Sequence, residues 1–376
     1  MINVILDAIS KSRMRAITYE KYMSLCLYEP ESGYYQRNAL KIGRKGDFYT
    51  SSSIGTVYGE VLAFTFCKLV KEKVISPIFI EVGGGNGRFA SSFLTYCKEK
   101  EFEIYQTMNY ILIDESVHHQ TLQKQLLMNH SIVQYCSSIN ELNVIEDGLM
   151  FSNELFDALP VRVVEFRDNQ WEEVMVSSDE QNNLIEVFMK IEDEKLTNFL
   201  KRNYFAGKNG RRVEIPIIME KVYEMMVSKL NRGIFLTVDY GFTKDEWDAP
   251  HRIHGSLRGY YQHELKNDVL FSPGEMDLTT HIHWDELMYL GNQFKVETIS
   301  FSSQRNTLLN FGILNWLIQH ASMNPFSDEF KHNRAVQSFV MPGGISDSFQ
   351  VLIQTKGFNY DENFLINELL FKAEYK

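Results

Sequence analysis

The chain of 376 residues predicts an α/β fold built on a parallel, doubly wound sheet, and three observations carry that prediction. Short apolar β-rich runs alternate with amphipathic stretches from residue 78 onward, the pattern of strands connected by helices. The first of these runs, "IFIEV", opens directly into four glycines within five residues, "GGGNG". The next run, "YILID", ends on an acid. In open α/β sheets, ligands bind outside the carboxyl ends of the strands. A glycine loop at one strand end and an acid at the next therefore mark a nucleotide-like site.

The elements follow in order. Residues 3–27 place apolar side chains at helical spacing, which predicts one or two helices. "YEPESGYYQRNALKIGRKGDFYTSSS" reads as a long ordered loop, of the kind that serves as a lid. "VYGEVLAFTFCKLVKEK" is helical. "IFIEV", "YILID", "IVQYC" and "GLMFS" are the first four strands, with helices at "GRFASSFLTYCKEK" and "HHQTLQKQLLM". "VRVVEFRDNQWEEVMVSS" is a hairpin around "RDNQ", an antiparallel insertion. A helix near 216–230 leads to "GIFLTVDYG", a fifth strand. Residues 242–282 read as loop. "HWDELMYLGNQ" is a helix with acids in its first turn. "FKVETISF" and "SFQVLIQTKG" are late strands flanking the helical "TLLNFGILNWLIQHA". No linker divides the chain clearly. The reading adopted is an N-terminal segment, 1–75, of helices and a cofactor-covering loop. A core, 76–376, follows, with insertions at about 161–215 and 242–282.

Composition narrows the function. Apolar residues make up 44% and the net charge is −11, which argues against nucleic acid as the main partner. No run of 18 apolar residues exists to predict a transmembrane helix. The four cysteines, Cys26, Cys67, Cys97 and Cys136, are scattered and form no metal-binding spacing. They read as reduced thiols of a cytoplasmic protein. The histidine pairs at 118–119, 251/254 and 281/283 have no further ligand at a recognised spacing, so no metal is expected.

The glycine loop selects the cofactor. The dinucleotide fingerprint G-x-G-x-x-G fails, because Arg88 stands where its third glycine belongs, and no phosphate-loop string occurs. The arrangement that fits is acid-x-G-x-G-x-G: Glu81, Gly83, Gly85 and Gly87. This is the loop of class I S-adenosylmethionine enzymes. Glycine lets the backbone approach the ribose and amino-acid moieties, and a carboxylate at the loop suits the cofactor's ammonium. Asp114, with Glu115 beside it, stands where a carboxylate would take the ribose hydroxyls. A strand–helix turn rich in glycine can also be merely tight, and a lone acid there can be a cap.

"FSNELFDALP" follows the fourth strand. Asn153, Glu154 and Asp157 place an amide and two carboxylates where a methyl acceptor would lie. Carboxylates there can hold a cationic acceptor, orient its lone pair or take its proton. Asn153 or Asp157 can instead cap a short helix that Pro160 ends.

In "YMSLCLYEPESGYY", "GDFYTSSSIGTVYGEVLA", "EVGGGNGRF", "NELFDALP", "VDYG", "GSLRGYYQHE" and "SPGEMDLTTHIHWDEL", the chain resembles the MidA family of S-adenosylmethionine-dependent methyltransferases. The resemblance implies a Rossmann-like core, an N-terminal segment packed over the cofactor and a protein arginine guanidinium as acceptor. It allows a homodimer. It implies that Glu81, Gly83, Gly84, Gly85, Gly87, Asp114 and Glu115 hold the cofactor. It also implies that Asp47 and Thr50 line the cofactor or acceptor channel, and that Asp277 and Thr279 close the far side of the substrate site. The family loop reads E-x-G-P-G-R-G, and here Gly84 and Asn86 replace the proline and the arginine. The loop is therefore expected to be looser and one charge poorer. The alternative function is a cofactor-binding assembly protein with this fold and little or no catalysis.

Overall fold

The computed structural model describes residues 1–36, 55–262, 264–319, 324 and 326–371. The expected lid loop lies mostly outside these residues, and so do Asp47 and Thr50. The chain folds as two compact units that interleave in sequence: 49–155, 224–240 and 288–376 form one, and 1–48, 156–223 and 241–287 the other.

The first unit carries a seven-stranded sheet. Its strands are β1 (Ile78–Val82), β2 (Asn109–Ile113), β3 (Val133–Cys136), β4 (Ile145–Asn153), β5 (Leu230–Asp239), β6 (Val296–Ser303) and β7 (Gln350–Lys356), in the spatial order β6-β7-β5-β4-β1-β2-β3. The five strands expected from the sequence are parallel to one another. β7 runs antiparallel to both β5 and β6, so the sheet is mixed rather than wholly parallel. The reason lies in the last connection. Ser303, ending β6, is paired with Gln350, opening β7. A chain that leaves and re-enters a sheet at the same end must run back antiparallel.

β1 is nearly all buried, as a central strand flanked on both sides must be. Phe79 on β1 anchors the core, with ring centroids 4.3 Å from Phe93, 5.3 Å from Tyr110 and 5.4 Å from Phe66. Two helices, α1 (Val57–Lys71) and α2 (Arg88–Lys100), pack closely because Gly59 has no side chain. A Cβ there would stand 2.0 Å from Ser92 Oγ and 3.0 Å from the backbone of Phe89 and Phe93.

The second unit holds a five-stranded antiparallel sheet made of Ile17–Thr18, Arg162–Arg167, Gln170–Ser178, Leu184–Lys190 and Arg211–Ile215. The expected hairpin is present. Its two-residue turn, Asp168–Asn169, has φ of 44° and 66°, the left-handed pair that matches strand twist. Residues 242–282, expected as loop, contain a three-stranded sheet of Arg258–Tyr261, Glu264–Lys266 and Asp277–Thr279. These strands are only three or four residues long, too short to show alternation in the sequence. Among the described residues no helix is long and apolar enough to cross a membrane.

Candidate active site at the carboxyl edge of the sheet

The chain order reverses between β4 and β1, so the connections after these strands diverge and leave a crevice at their carboxyl ends. The glycine loop follows β1. Gly83, Gly85 and Gly87 have φ of 80°, 53° and 80°, a left-handed backbone that favours glycine. Around Gly85 an added Cβ would meet nothing within 4 Å, so the loop is open on that side for a ligand to approach the backbone.

Asp114, just past β2, turns its carboxylate onto this loop. One oxygen accepts the Gly85 N–H at 2.8 Å and the other the Ser116 N–H at 2.9 Å. His119 Nδ1 lies 3.4 Å away. The oxygen that accepts from Ser116 keeps lone-pair capacity for a ribose hydroxyl, and the carboxylate also fixes the loop. Glu115 is exposed. Partial desolvation and neighbouring Asp114 hold its carboxyl above the usual range.

Glu81 sits deeper than the loop. It is the fourth residue of β1, 4% exposed, and accepts the Tyr110 hydroxyl at 2.6 Å. Burial pushes its pKa up to about 8, the Tyr110 hydrogen bond opposing and Asp114 adding to the rise. Burial thus favours the neutral form of Glu81 before any cation binds.

The two departures from the family loop are built into their surroundings. A Cβ on Gly84 would stand 2.3 Å from Leu112 Cδ1, so Leu112 fills the space that a larger residue would need. The rigidity expected to be lost is supplied by Gln123, fully buried on α3 (Val117–Leu126). Its Nε2 donates to the Gly85 carbonyl at 2.8 Å and to Asp114 at 3.3 Å. Asn86 accepts the Arg88 N–H at 3.1 Å and shapes the turn into α2. Sequence reading missed Gln123. Its only signal was one polar residue on the inner face of an otherwise surface-like helix.

At the end of β4, Ser152 is paired with Val82 of β1 and Asn153 with Val238 of β5. Asn153 and Glu154 are half-buried. Glu154 has φ of 52°, a left-handed conformation costing about 1 kcal/mol or more for a non-glycine residue. Its N–H is tied to the Val238 carbonyl at 2.9 Å. Asn153 Nδ2 donates to Glu154 Oε1 at 2.9 Å, and the Tyr58 hydroxyl donates to Asn153 Oδ1 at 3.0 Å. Backbone strain held in place by surrounding bonds clusters at functional sites. Tyr58 was not anticipated as a site residue.

The remaining candidates belong to the second unit. Asp157 is 5% exposed and Asp277 2%. The Tyr35 hydroxyl donates to Asp277 Oδ1 at 2.7 Å. Burial first, then Asp277, Tyr28 and Asp157, hold the Tyr35 hydroxyl protonated. One tyrosine thus stands within the field of both carboxylates. The Asp157 carbonyl accepts the Thr280 N–H at 3.0 Å. Asp277 and Thr279, paired with Tyr260 and Arg258, are buried in a short strand rather than lying in a loop. His281 stacks on Phe242 and His283 on Trp247, with centroids 4.1 and 4.4 Å apart. His283 Nε2 hydrogen-bonds the Glu214 carbonyl at 2.8 Å. Among the described residues no cluster has the donors to hold a metal ion.

Residues 61–302 match the Methyltransf_28 family model, described as S-adenosyl-L-methionine-dependent methyltransferase. The chain is 27% identical over 331 residues to the mitochondrial protein arginine methyltransferase NDUFAF7 of Mus musculus, covering 79% of this chain and 71% of that protein. It is 26% identical over 329 residues to the Homo sapiens protein of the same name, covering 79% and 70%. A COG1565 superfamily member from Burkholderia thailandensis, solved with S-adenosyl-homocysteine, shares the fold. Its TM-score is 0.82 at 24% identity, over 95% of this chain and 94% of that one.

Proposed function

From the premise that this chain belongs to the Methyltransf_28 family and is an S-adenosylmethionine-dependent methyltransferase, we propose that its acceptor is a protein side chain, an arginine guanidinium first. The observation that carries the proposal is the strained, hydrogen-bonded Glu154 at the carboxyl end of β4, beside the glycine loop. The names of the NDUFAF7 relatives support the choice of arginine.

In this reading Gly83, Gly84, Gly85 and Gly87 give the cofactor backbone to lie against. Asp114 and Glu115 take its ribose, and Glu81 its ammonium. The open face at Gly85 and the lone-pair capacity of Asp114 fit such a ligand. When bound, S-adenosylmethionine supplies an electrophilic methyl group on a sulfonium. Glu154 holds the guanidinium, aims one nitrogen and takes the proton that this nitrogen sheds as its bond to carbon forms. A fixed carboxylate needs no reorganisation as charge moves, which is how such a group lowers the barrier. Asp157, Asp277 and Thr279 serve acceptor binding in the same reading, and a reducing cytoplasm suits the four free, buried cysteines.

The test is incubation with methyl-labelled cofactor and a host lysate, followed by mass spectrometry of labelled proteins, with Glu154→Gln in parallel. Methylarginine is expected with the native chain. The variant should keep cofactor binding and lose at least about a hundredfold in turnover, the scale of positioned proton transfer. Label confined to small molecules would refute the acceptor. Native turnover by the variant would refute the role of Glu154.

A further inference from the structure

Three side chains, two of them outside the predicted site, form a one-way line of hydrogen bonds that ends on Glu154. The line begins at Gln304, fully buried at the start of α4 (Gln304–Asn310), whose backbone N–H is fixed to the Phe349 carbonyl at 2.9 Å. Its side chain hydrogen-bonds the Tyr58 hydroxyl. Tyr58 donates to Asn153 Oδ1, and Asn153 Nδ2 donates to Glu154 Oε1. Tyr58 lies on α1, 1% exposed, with its ring stacked on Phe339 at 5.7 Å and tilted against Phe89 at 5.8 Å. Neither Tyr58 nor Gln304 lies within residues 61–302 of the family match.

The direction of these bonds matters. An amide can present either its oxygen or its nitrogen to a neighbour, and a carboxylate accepts only from the nitrogen. The Tyr58 hydroxyl has one proton. If Gln304 donates to its oxygen, that proton goes to Asn153 Oδ1. Asn153 must then turn its NH₂ toward Glu154. The line thus selects one of two amide orientations and one carboxylate rotamer. Glu154 Oε2 lies outside the line. Hydrogen bonds in such a chain reinforce one another in a low-dielectric interior.

We infer that Gln304 and Tyr58 are positioning residues for methyl transfer, acting through Asn153 to hold Glu154 in one rotamer and in its charged form. The inference rests on the reading of Glu154 as the acceptor-facing carboxylate. The other acids at the carboxyl edge of the sheet are Glu81, which also acts on Tyr58, Asp114 and Glu115 after β2, and Asp239 at the end of β5, next to the Val238 carbonyl that holds Glu154.

Tyr58→Phe tests this, because the ring and its stacking remain and only the hydroxyl is lost. Without it, Asn153 can flip and present an oxygen to Glu154. Carbon-13 NMR of the Glu154 carboxyl, assigned with Glu154→Gln, is read in the cofactor-free protein with no acceptor present. Losing a donor disfavours the charged form, so the titration midpoint should rise by roughly half a pH unit or more. Turnover should fall about five- to tenfold, the scale of one hydrogen bond to a charged group, with the acceptor KM within about twofold. Gln304→Ala should move both readings the same way. On an Asn153→Ala background, Tyr58→Phe should cost nothing further, since its effect passes through Asn153.

An unmoved midpoint with native turnover would overturn the inference, as would a loss that adds in full to that of Asn153→Ala. If the midpoint rises while the native chain methylates no arginine, the positioning line stands and the arginine reading falls.

Discussion

Replacing Glu81 by Gln tests whether the carboxyl under the glycine loop is held neutral. Gln keeps an acceptor for the Tyr110 hydroxyl and nearly the same volume, so the change removes ionisation and little else. In the folded chain the Glu81 pKa is pushed up to about 8, chiefly by burial, against about 4.3 in an unfolded chain. The folded state therefore binds the extra proton. The stability this brings is fully present below the unfolded value and is lost as pH rises to about 8, beyond which nothing further is lost. Between pH 7 and 9 the loss attributable to Glu81 is about 1.4 kcal/mol, from one proton released near pH 8. This window avoids His281 and His283, which titrate well below it. Urea unfolding of the cofactor-free protein at pH 7, 8 and 9 gives the slope, with Glu81→Gln as reference. The native chain should lose about 1.4 kcal/mol more than the variant across this range. Equal slopes would show that Glu81 is ionised throughout and that the argument from burial is wrong.

Three further outcomes are expected. His281 and His283 are pushed down to about 3 and about 4, first by burial. The unfolded chain thus gains protons below about 6.5 that the fold refuses, and stability falls with pH. His281→Phe, which keeps the stack on Phe242, should remove about 1.2 kcal/mol of the loss between pH 6 and 5; an unchanged acid limb in urea titrations would refute this. Gly59→Ala forces a Cβ against Ser92 Oγ and two backbone atoms. It should cost roughly 1–3 kcal/mol despite the better helix propensity of alanine, and a neutral or stabilising result in thermal unfolding would contradict the close packing of α1 on α2. Gly84→Ala meets buried Leu112, whereas Gly85→Ala meets only its own backbone strain at φ 53°. The first should destabilise by about 1–3 kcal/mol and the second by about 1 kcal/mol. In cofactor titrations Gly85→Ala should be the more damaging, because its Cβ enters the open face. The reverse order would place the ligand elsewhere.

Much of the fold was legible in the chain. The glycine spacing, the acid after β2 and "NELF" after β4 are local strings on strand ends, and strand ends converge in any doubly wound sheet. Four of the five parallel strands were readable because buried central strands are apolar over most of their length; β3, at the sheet edge and partly exposed, offered only the short run "VQYC". The mixed sheet was not readable, because the direction of β7 depends on where a 46-residue connection, 304–349, re-enters. The short strands within 242–282 carry too few residues to show a period.

The sequence by itself determined the cofactor class, since spacing within a few residues decides which backbone can approach a ligand. Tertiary structure alone decided the states of the side chains. It buried Glu81 deeply enough to hold its proton and put Gln123 where the family's proline was missing. It also drew Tyr58 and Gln304, 246 positions apart, into one line behind Glu154. The physical reason is that ionisation and hydrogen-bond direction depend on desolvation and on partners distant in the chain. Neither quantity exists until the helices close on the sheet.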